Sequence, residues 1–238
     1  MIEIDYSVQI SSQLRISTGI GSVGHLDNTI VRDSNGQAYI PGSTIKGKVR
    51  AAYYRFAKAL GVKFLHRTEQ EPAGCLVIED SPCLVCQVFG AAQWPDGLNF
   101  GNAGLQSDLQ SALLHLDEEL LRDDERPIAS LNFGQQTRIN VAIDRRRRVA
   151  LPDQLFTFES IGKPAAFQGR ISGQISSENY RQAVALLAAS LQSITHLGGG
   201  RGRGAGRCEC SIDAVSINSQ DSDLQALMGT LDNLGGAG

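Results

Sequence analysis

Pro41-Gly42-Ser43-Thr44-Ile45-Lys46-Gly47-Lys48-Val49-Arg50 is the stretch on which the reading of this chain turns. Pro-Gly-Ser punctuates whatever precedes it, and Ser43 is the predicted N-cap of a helix. Val49, Ala52, Tyr53, Phe56 and Leu60 then recur at helical spacing, and Gly61 is placed to end the run. Gly42 to Lys48 also match the first seven places of a phosphate-binding P-loop, but Val49 stands where a magnesium-ligating Ser or Thr belongs. No apolar run ending in Asp stands out in a parallel-sheet context. Nucleotide hydrolysis is therefore not the expectation. The local physics remains that of a phosphate cradle: a helix start, a hydroxyl and two lysines.

On the N-terminal side, Ile2, Ile4, Tyr6, Val8 and Ile10 alternate with polar residues, a half-buried strand continuing toward Ile16. A glycine-rich polar loop over 17–38 follows. On the C-terminal side, 62–97 is irregular, and Leu109, Leu113, Leu116, Leu120 and Leu121 suggest an acidic helix. A protruding hairpin is predicted over 139–161, with a charged tip at Arg145 to Arg148. Phe167, Gly169, Ile171, Gly173 and Ile175 mark another strand. Ser176 or Ser177 caps a helix through Ile194, and a glycine-rich loop at 198–206 leads to a strand with Cys208, Cys210, Ile212 and Ala214 on one face. Asp221 is the expected cap of a last helix, Leu224 to Leu234, before a glycine-rich tail. Strands and helices in this order predict an α+β sandwich of a ferredoxin-like kind, as one domain over 1–238.

With 238 residues, 42% hydrophobic and 20% charged, the chain has the composition of a globular protein. The start has no basic and apolar leader, and the most apolar stretch, Ala183 to Leu191, is too short to span a bilayer. A soluble, cytoplasmic protein is the expectation. An odd count of five cysteines argues against a disulfide framework. The net charge of −3 hides segregation. Lys46, Lys48 and Arg50 form one basic cluster, Arg138 and Arg145 to Arg148 a second, and Arg201, Arg203 and Arg207 a third. Acid gathers at Asp117 to Glu119 and Asp123 to Glu125. Such patterning fits an anionic partner, against the plainer reading of solvated faces.

Two further constellations carry chemistry. Gly198 to Arg207 alternates glycine with arginine, which lets backbone approach a ligand while guanidinium groups reach phosphates; a flexible surface loop is the alternative. His66, Cys75, Cys83 and Cys86 could form a tetrahedral Cys₃His zinc site, with the Cys-x-x-Cys pair chelating through a tight turn. Buried apolar cysteines and a surface histidine are the competing reading.

The block Arg32 to Arg50, with Leu197 to Arg207, resembles the two signature regions of the RAMP superfamily (repeat-associated mysterious proteins). Phe89-Gly90, Ala142-Ile143-Asp144-Arg145 and Leu155-Phe156 are similar to residues of its type III CRISPR backbone subunit. The likeness spans most of 1–217. It implies a modified RNA-recognition, ferredoxin-like domain with a β-hairpin thumb at 139–161. Zinc-bearing insertions, matched here by 62–97, occur in relatives of the type III-D and single-chain kinds.

The resemblance implies a subunit that polymerises along a guide RNA and cuts paired target RNA, using Mg²⁺ or Mn²⁺. Its partners would be CRISPR RNA, target RNA, adjacent RAMP subunits and a large polymerase/cyclase-like subunit. By position, Asp27 matches the loop aspartate required for cutting. RNA would be held by Ser43, Lys46, Lys48, Arg50, Arg138, Arg145, Arg201 and Arg203. Asp33 is the competing carboxylate, expected instead to support the turn at Ser34 to Gly36. A guide-binding scaffold without cutting remains open. So does a CRISPR-RNA processing nuclease, for which His25 would be the acid–base candidate.

Overall fold

The N-terminal alternation forms the centre of the sheet. In the computed structural model, which describes residues 1–17, 28–62, 82–91, 97–106, 135–162, 165–175 and 179–233, Ile2–Ile10 is strand β1. Its five odd-spaced hydrophobics are buried while Glu3, Asp5 and Gln9 face outward. β1 pairs antiparallel on both sides, with β7 (Ala165–Gly173) and β8 (Cys208–Ile217). Beyond β7 lie β4 (Ala103–Leu105) and β2 (Tyr39–Ile40), with β3 (Asn99–Phe100) also on β7; beyond β8 lies β9 (Gln220–Asp221).

The helices cover one face. Helix α1 (Gly42–Ala59) packs on α3 (Tyr180–Gln192), which also contacts β8 and the short α4 (Leu224–Gly229). Ile45, Val49, Ala52 and Tyr53 of α1 and Ala183 to Ala188 of α3 are buried, the latter on all sides of the helix. The units β1-α1-β4 and β7-α3-β8 interlock, each leaving room for one strand of the other. Truncating a core side chain here, such as Phe167 to Ala, is expected to cost about 3–5 kcal/mol.

Several expectations change. β1 stops at Ile10, and Leu14 and Ser17 make only isolated bridges, to Ile161 and Ile30. Ser43 does not cap α1: Pro41 holds the cap position without a side-chain bond, and the Gly42 amide donates to Asn102 Oδ1 at 2.9 Å. Glycine is needed at 42 because a Cβ would sit 1.9 Å from the Phe100 carbonyl oxygen. Gly61 does end the helix region, with φ at 75°. In β8 the register slips between Asp5 and Tyr6, so Asp213 is an extra residue and Val215 and Ile217, not Ala214, continue the buried face. Asp223, not Asp221, caps α4, accepting from Gln225 N. The irregular 62–97 stretch contains helix α2 (Leu84–Phe89).

The hairpin is longer than predicted. β5 (Gln135–Asp144) and β6 (Val149–Ile161) form a separate two-stranded ribbon. Between the pairs Val141–Leu155 and Ile143–Ala150, Ala142 alone faces residues 151–154. Pro152 lies in that surplus and cannot donate to the ladder. At the tip Asp144 accepts from the amides of Arg146 and Arg147, and Arg148 takes a left-handed φ of 56°. The predicted acidic helix at 109–121 and the caps at Ser176 or Ser177 lie outside the described residues.

Candidate functional site

The glycine-arginine loop is tied down rather than loose. Leu197 N donates to Gly206 O, Gly206 N to Gln13 O and Gly199 N to Arg15 O, at 2.7–2.8 Å. Gly198 has a φ of 73°, and a Cβ there would lie 2.2 Å from the Arg15 carbonyl oxygen, so only glycine lets the loop lie against the segment after β1. Arg201–Arg203 form one 3₁₀ turn closed by Arg203 N to Gly200 O. Both arginines are exposed.

This loop walls a cleft of about 510 Å³, lined also by Arg15, Ser17, Asn28, Thr44, Phe158, Glu159 and Arg203. A second hollow of about 260 Å³ extends it along the hairpin, between Arg15, Asn28, Arg203, Asn140 and Phe156. The Arg15 guanidinium stacks on the Phe158 ring, 3.2 Å from its centroid. Partial burial lowers the Arg15 pKa, and the nearby Arg203 charge lowers it further. Two cations held this close favour an anion between them.

The ribbon has two unlike faces. Cross-strand pairs Arg138–Phe158 and Asn140–Phe156 share one side, and Asn140, Phe156 and Phe158 line the hollow. Ile139, Val141, Ile143 and Leu155 alternate with them and are exposed, and of these Val141 also borders the hollow. Phe156, 44% exposed on the cleft side, offers a flat ring for stacking.

The root of the hairpin is joined to the signature block. Asn28 N donates to Thr157 O and Glu159 N to Asn28 O. One Glu159 oxygen, Oε2, accepts from Ile30 N at 3.1 Å and from Arg32 Nη2 at 3.2 Å. Asp33 accepts from the amides of Asn35 and Gln37, which is the turn-supporting role expected of it.

A model of the RAMP superfamily matches residues 9–209 of this sequence. The chain belongs to the RAMP superfamily. It is 26% identical to the CRISPR system Cms endoribonuclease Csm3 of Enterococcus italicus over 240 residues, covering 95% of this chain and 97% of that protein. Among solved structures, this RAMP fold is similar to a chain of the Type III-B Cmr-beta complex in its apo state, with TM-score 0.56, 14% identity, and 89% and 97% of the two chains covered. It is likewise similar to a chain of Type III-B Cmr-beta bound to cognate target RNA, with TM-score 0.56, 15% identity, and 88% and 96% covered.

Within the RAMP domain the predicted residues do not all converge. Arg203 lines the cleft, whereas Arg201 sits beside it in the same turn. Ser43, Lys46 and Arg50 occupy another flank of α1, where Lys46 lies 5.7 Å from the Phe100 ring and Arg50 6.0 Å from Phe89. Burial lowers the Lys46 pKa, with Arg50 adding to it. Lys48 lies on the β8 side: the thiol of Cys208 is lowered first by its hydrogen bond with Cys210 and also by the Lys48 charge. Arg138 stands exposed at the hairpin root, and Arg145 is at the tip, seven residues on, or roughly 24 Å along an extended strand. The cradle of amides at α1 is partly taken, since Gly42 donates to Asn102, and Thr44 and Ile45 donate to the Pro41 carbonyl.

Arg15, Asn28, Thr44, Phe156, Phe158 and Glu159 are site residues that sequence reasoning missed. The signal for two of them was present: phenylalanine at 156 and 158 falls on one face of a period-two strand. Asp27, His25, His66 and Cys75 lie outside the described residues. Cys83 is half-buried at the start of α2 and Cys86 is buried one turn on. Three residues apart on a helix start, the pair can present two thiolates to one side, which suits a chelating pair. Among the described residues, no group of three metal-ligating side chains assembles. No helix among them is long and apolar enough to cross a membrane.

Proposed function

We propose that this RAMP chain is a backbone subunit of a type III CRISPR effector complex, binding CRISPR RNA and cutting the target RNA paired with it. The observation that carries this reading is the cleft where the glycine loop, the start of α1 and the hairpin root meet, with Arg15, Arg203 and two phenylalanine rings on its walls. Close-approach backbone plus guanidinium groups suits phosphates, and exposed rings suit unstacked bases. The Enterococcus relative is named an endoribonuclease, and one similar fold was solved with cognate target RNA. Adjacent RAMP subunits and a large polymerase/cyclase-like subunit are the proposed protein partners.

The ferredoxin-like core then serves as a rigid palm and the ribbon as the thumb that displaces a base. RNA cuts itself when its 2′-hydroxyl lies in line with the scissile phosphate, so forcing that geometry is catalytic. Asp27 is the proposed catalytic carboxylate, accepting the hydroxyl proton or orienting the phosphate. Bound Mg²⁺ or Mn²⁺ would neutralise charge developing there. The deciding experiment is Asp27→Ala, assembled with partners and guide and given complementary RNA. Target affinity should stay within a few-fold while cutting falls by at least about a hundredfold. Normal cutting would leave the chain as a scaffold.

Zinc is the proposed staple of the 62–97 insertion, through Cys83 and Cys86 together with His66 and Cys75. Elemental analysis should find about one zinc per chain, the load of one closed tetrahedral site. Cys83→Ser should lose it, and a well-folded, metal-free parent protein would rule the site out.

A further inference from the structure

We infer that Glu159 is a positioning residue for RNA cutting: it locks the segment that follows Asp27 onto the root of the hairpin. The inference rests on the proposed nuclease reading, and Glu159 has no assigned role in it. The segment Asn28 to Arg32 is fastened at both levels of structure. Its backbone exchanges hydrogen bonds with Thr157 and Glu159, as a short parallel bridge between Asn28 and Phe158. The Glu159 carboxylate adds the side-chain fastening, taking the Ile30 amide and the Arg32 guanidinium on one oxygen. The side chains are only 14% and 25% exposed for Glu159 and Arg32, so the pair is shielded from much of the solvent screening that weakens surface ion pairs.

The geometry couples two parts that cutting requires to agree. In the proposed reading the hairpin displaces a base of the RNA, and Asn28 to Arg32 is the segment that directly follows the residue proposed to cut. Glu159 lines the cleft and also holds the backbone amide of Ile30 and the guanidinium of Arg32 at the start of the signature block. Without it the segment is held to the root by the backbone bonds of Asn28 and is freer to shift. Displacements of about 1 Å can cost about a hundredfold in rate. Binding should change little, because in the proposed reading Arg15, Arg203 and the glycine loop hold the phosphates and the Glu159 carboxylate does not.

The test uses the assembled complex with guide, comparing Glu159→Ala, Glu159→Gln, Arg32→Gln and Asp27→Ala. The alanine variant should cut about tenfold to a hundredfold more slowly at saturating target, with KM and target affinity within a few-fold of the parent. The glutamine variant keeps an oxygen for the Ile30 amide and should recover most of the rate; Arg32→Gln should fall between. Hydrogen exchange at the Ile30 amide should speed up in Glu159→Ala and stay slow in Glu159→Gln.

Normal cutting by Glu159→Ala beside an inactive Asp27→Ala would overturn this role alone. A glutamine variant as slow as alanine, with Ile30 still protected, would make Glu159 a group acting on the reacting atoms, again against positioning. Loss of target affinity in step with rate would reduce it to a folding contact. Normal cutting by Asp27→Ala would remove the nuclease reading and this role with it.

Discussion

Two charged surfaces of this molecule differ in kind. The outer face of the sheet bears Glu3, Asp5 and Glu209, with Arg170 bonded to Asp5 at 2.6 and 3.0 Å and 3.9 Å from Glu3. Those bonds raise the Arg170 pKa, the Asp5 hydrogen bond first. Its cation is spent on its own neighbours, and no aromatic ring of β1, β7 or β8 stands on that face. In the cleft, Arg15 and Arg203 repel each other beside glycine backbone and two rings. An open sheet face is the usual seat of RNA in RNA-recognition folds, through stacked aromatics. Here the rings and guanidinium groups, the latter unpaired among the described residues, lie instead at the seam between loop and hairpin, where RNA is proposed to bind. What marks a binding surface is unsatisfied charge next to flat apolar area, not charge alone.

That contrast can be broken at several points. Removing both cleft arginines, as Arg15→Ala with Arg203→Ala, should weaken guide RNA binding by about a hundredfold at physiological salt and flatten the log–log salt slope by about 1.4. Filter binding over a salt series measures both, and an unchanged slope would place the phosphates elsewhere. Phe156→Ala should cost about tenfold in affinity for single-stranded RNA, the worth of one stacked base, with little change in salt slope. Shortening the tip by deleting 145–148 should leave guide affinity within a few-fold yet spoil the even spacing of cuts seen on sequencing gels. On the other surface, Asp5→Asn with Arg170→Gln should change neither RNA affinity nor the salt slope. A loss there would erase the distinction between the faces.

The frame of the fold could be read from β1, where five buried hydrophobics alternate with Glu3, Asp5, Ser7 and Gln9, of which only Ser7 is buried as well, and from the repeat of α1. The Cys208–Cys210 face was legible only as far as the extra residue Asp213, because a bulge leaves no mark in a period-two pattern. Two-residue strands such as Tyr39–Ile40 are too short to show any period. Of the site, the glycine-arginine loop was visible as a motif. Arg15 was not, since it becomes part of the cleft only when Phe158, distant in sequence, is brought over it. Lys46 and Arg50 looked like partners of that loop, but the turn of α1 carries them to a flank where they lie over Phe100 and Phe89.

The unequal ribbon has a mechanical consequence. With Ala142 facing residues 151–154, the ladder is interrupted partway along the arm. The tip half and the root half are joined there by chain rather than by paired hydrogen bonds, so bending at that notch breaks little. A sideways load on Arg145 to Arg148 is absorbed as flexure instead of torque on the base of the arm. The distal half can bend while Asn28 stays seated against Thr157 and Glu159.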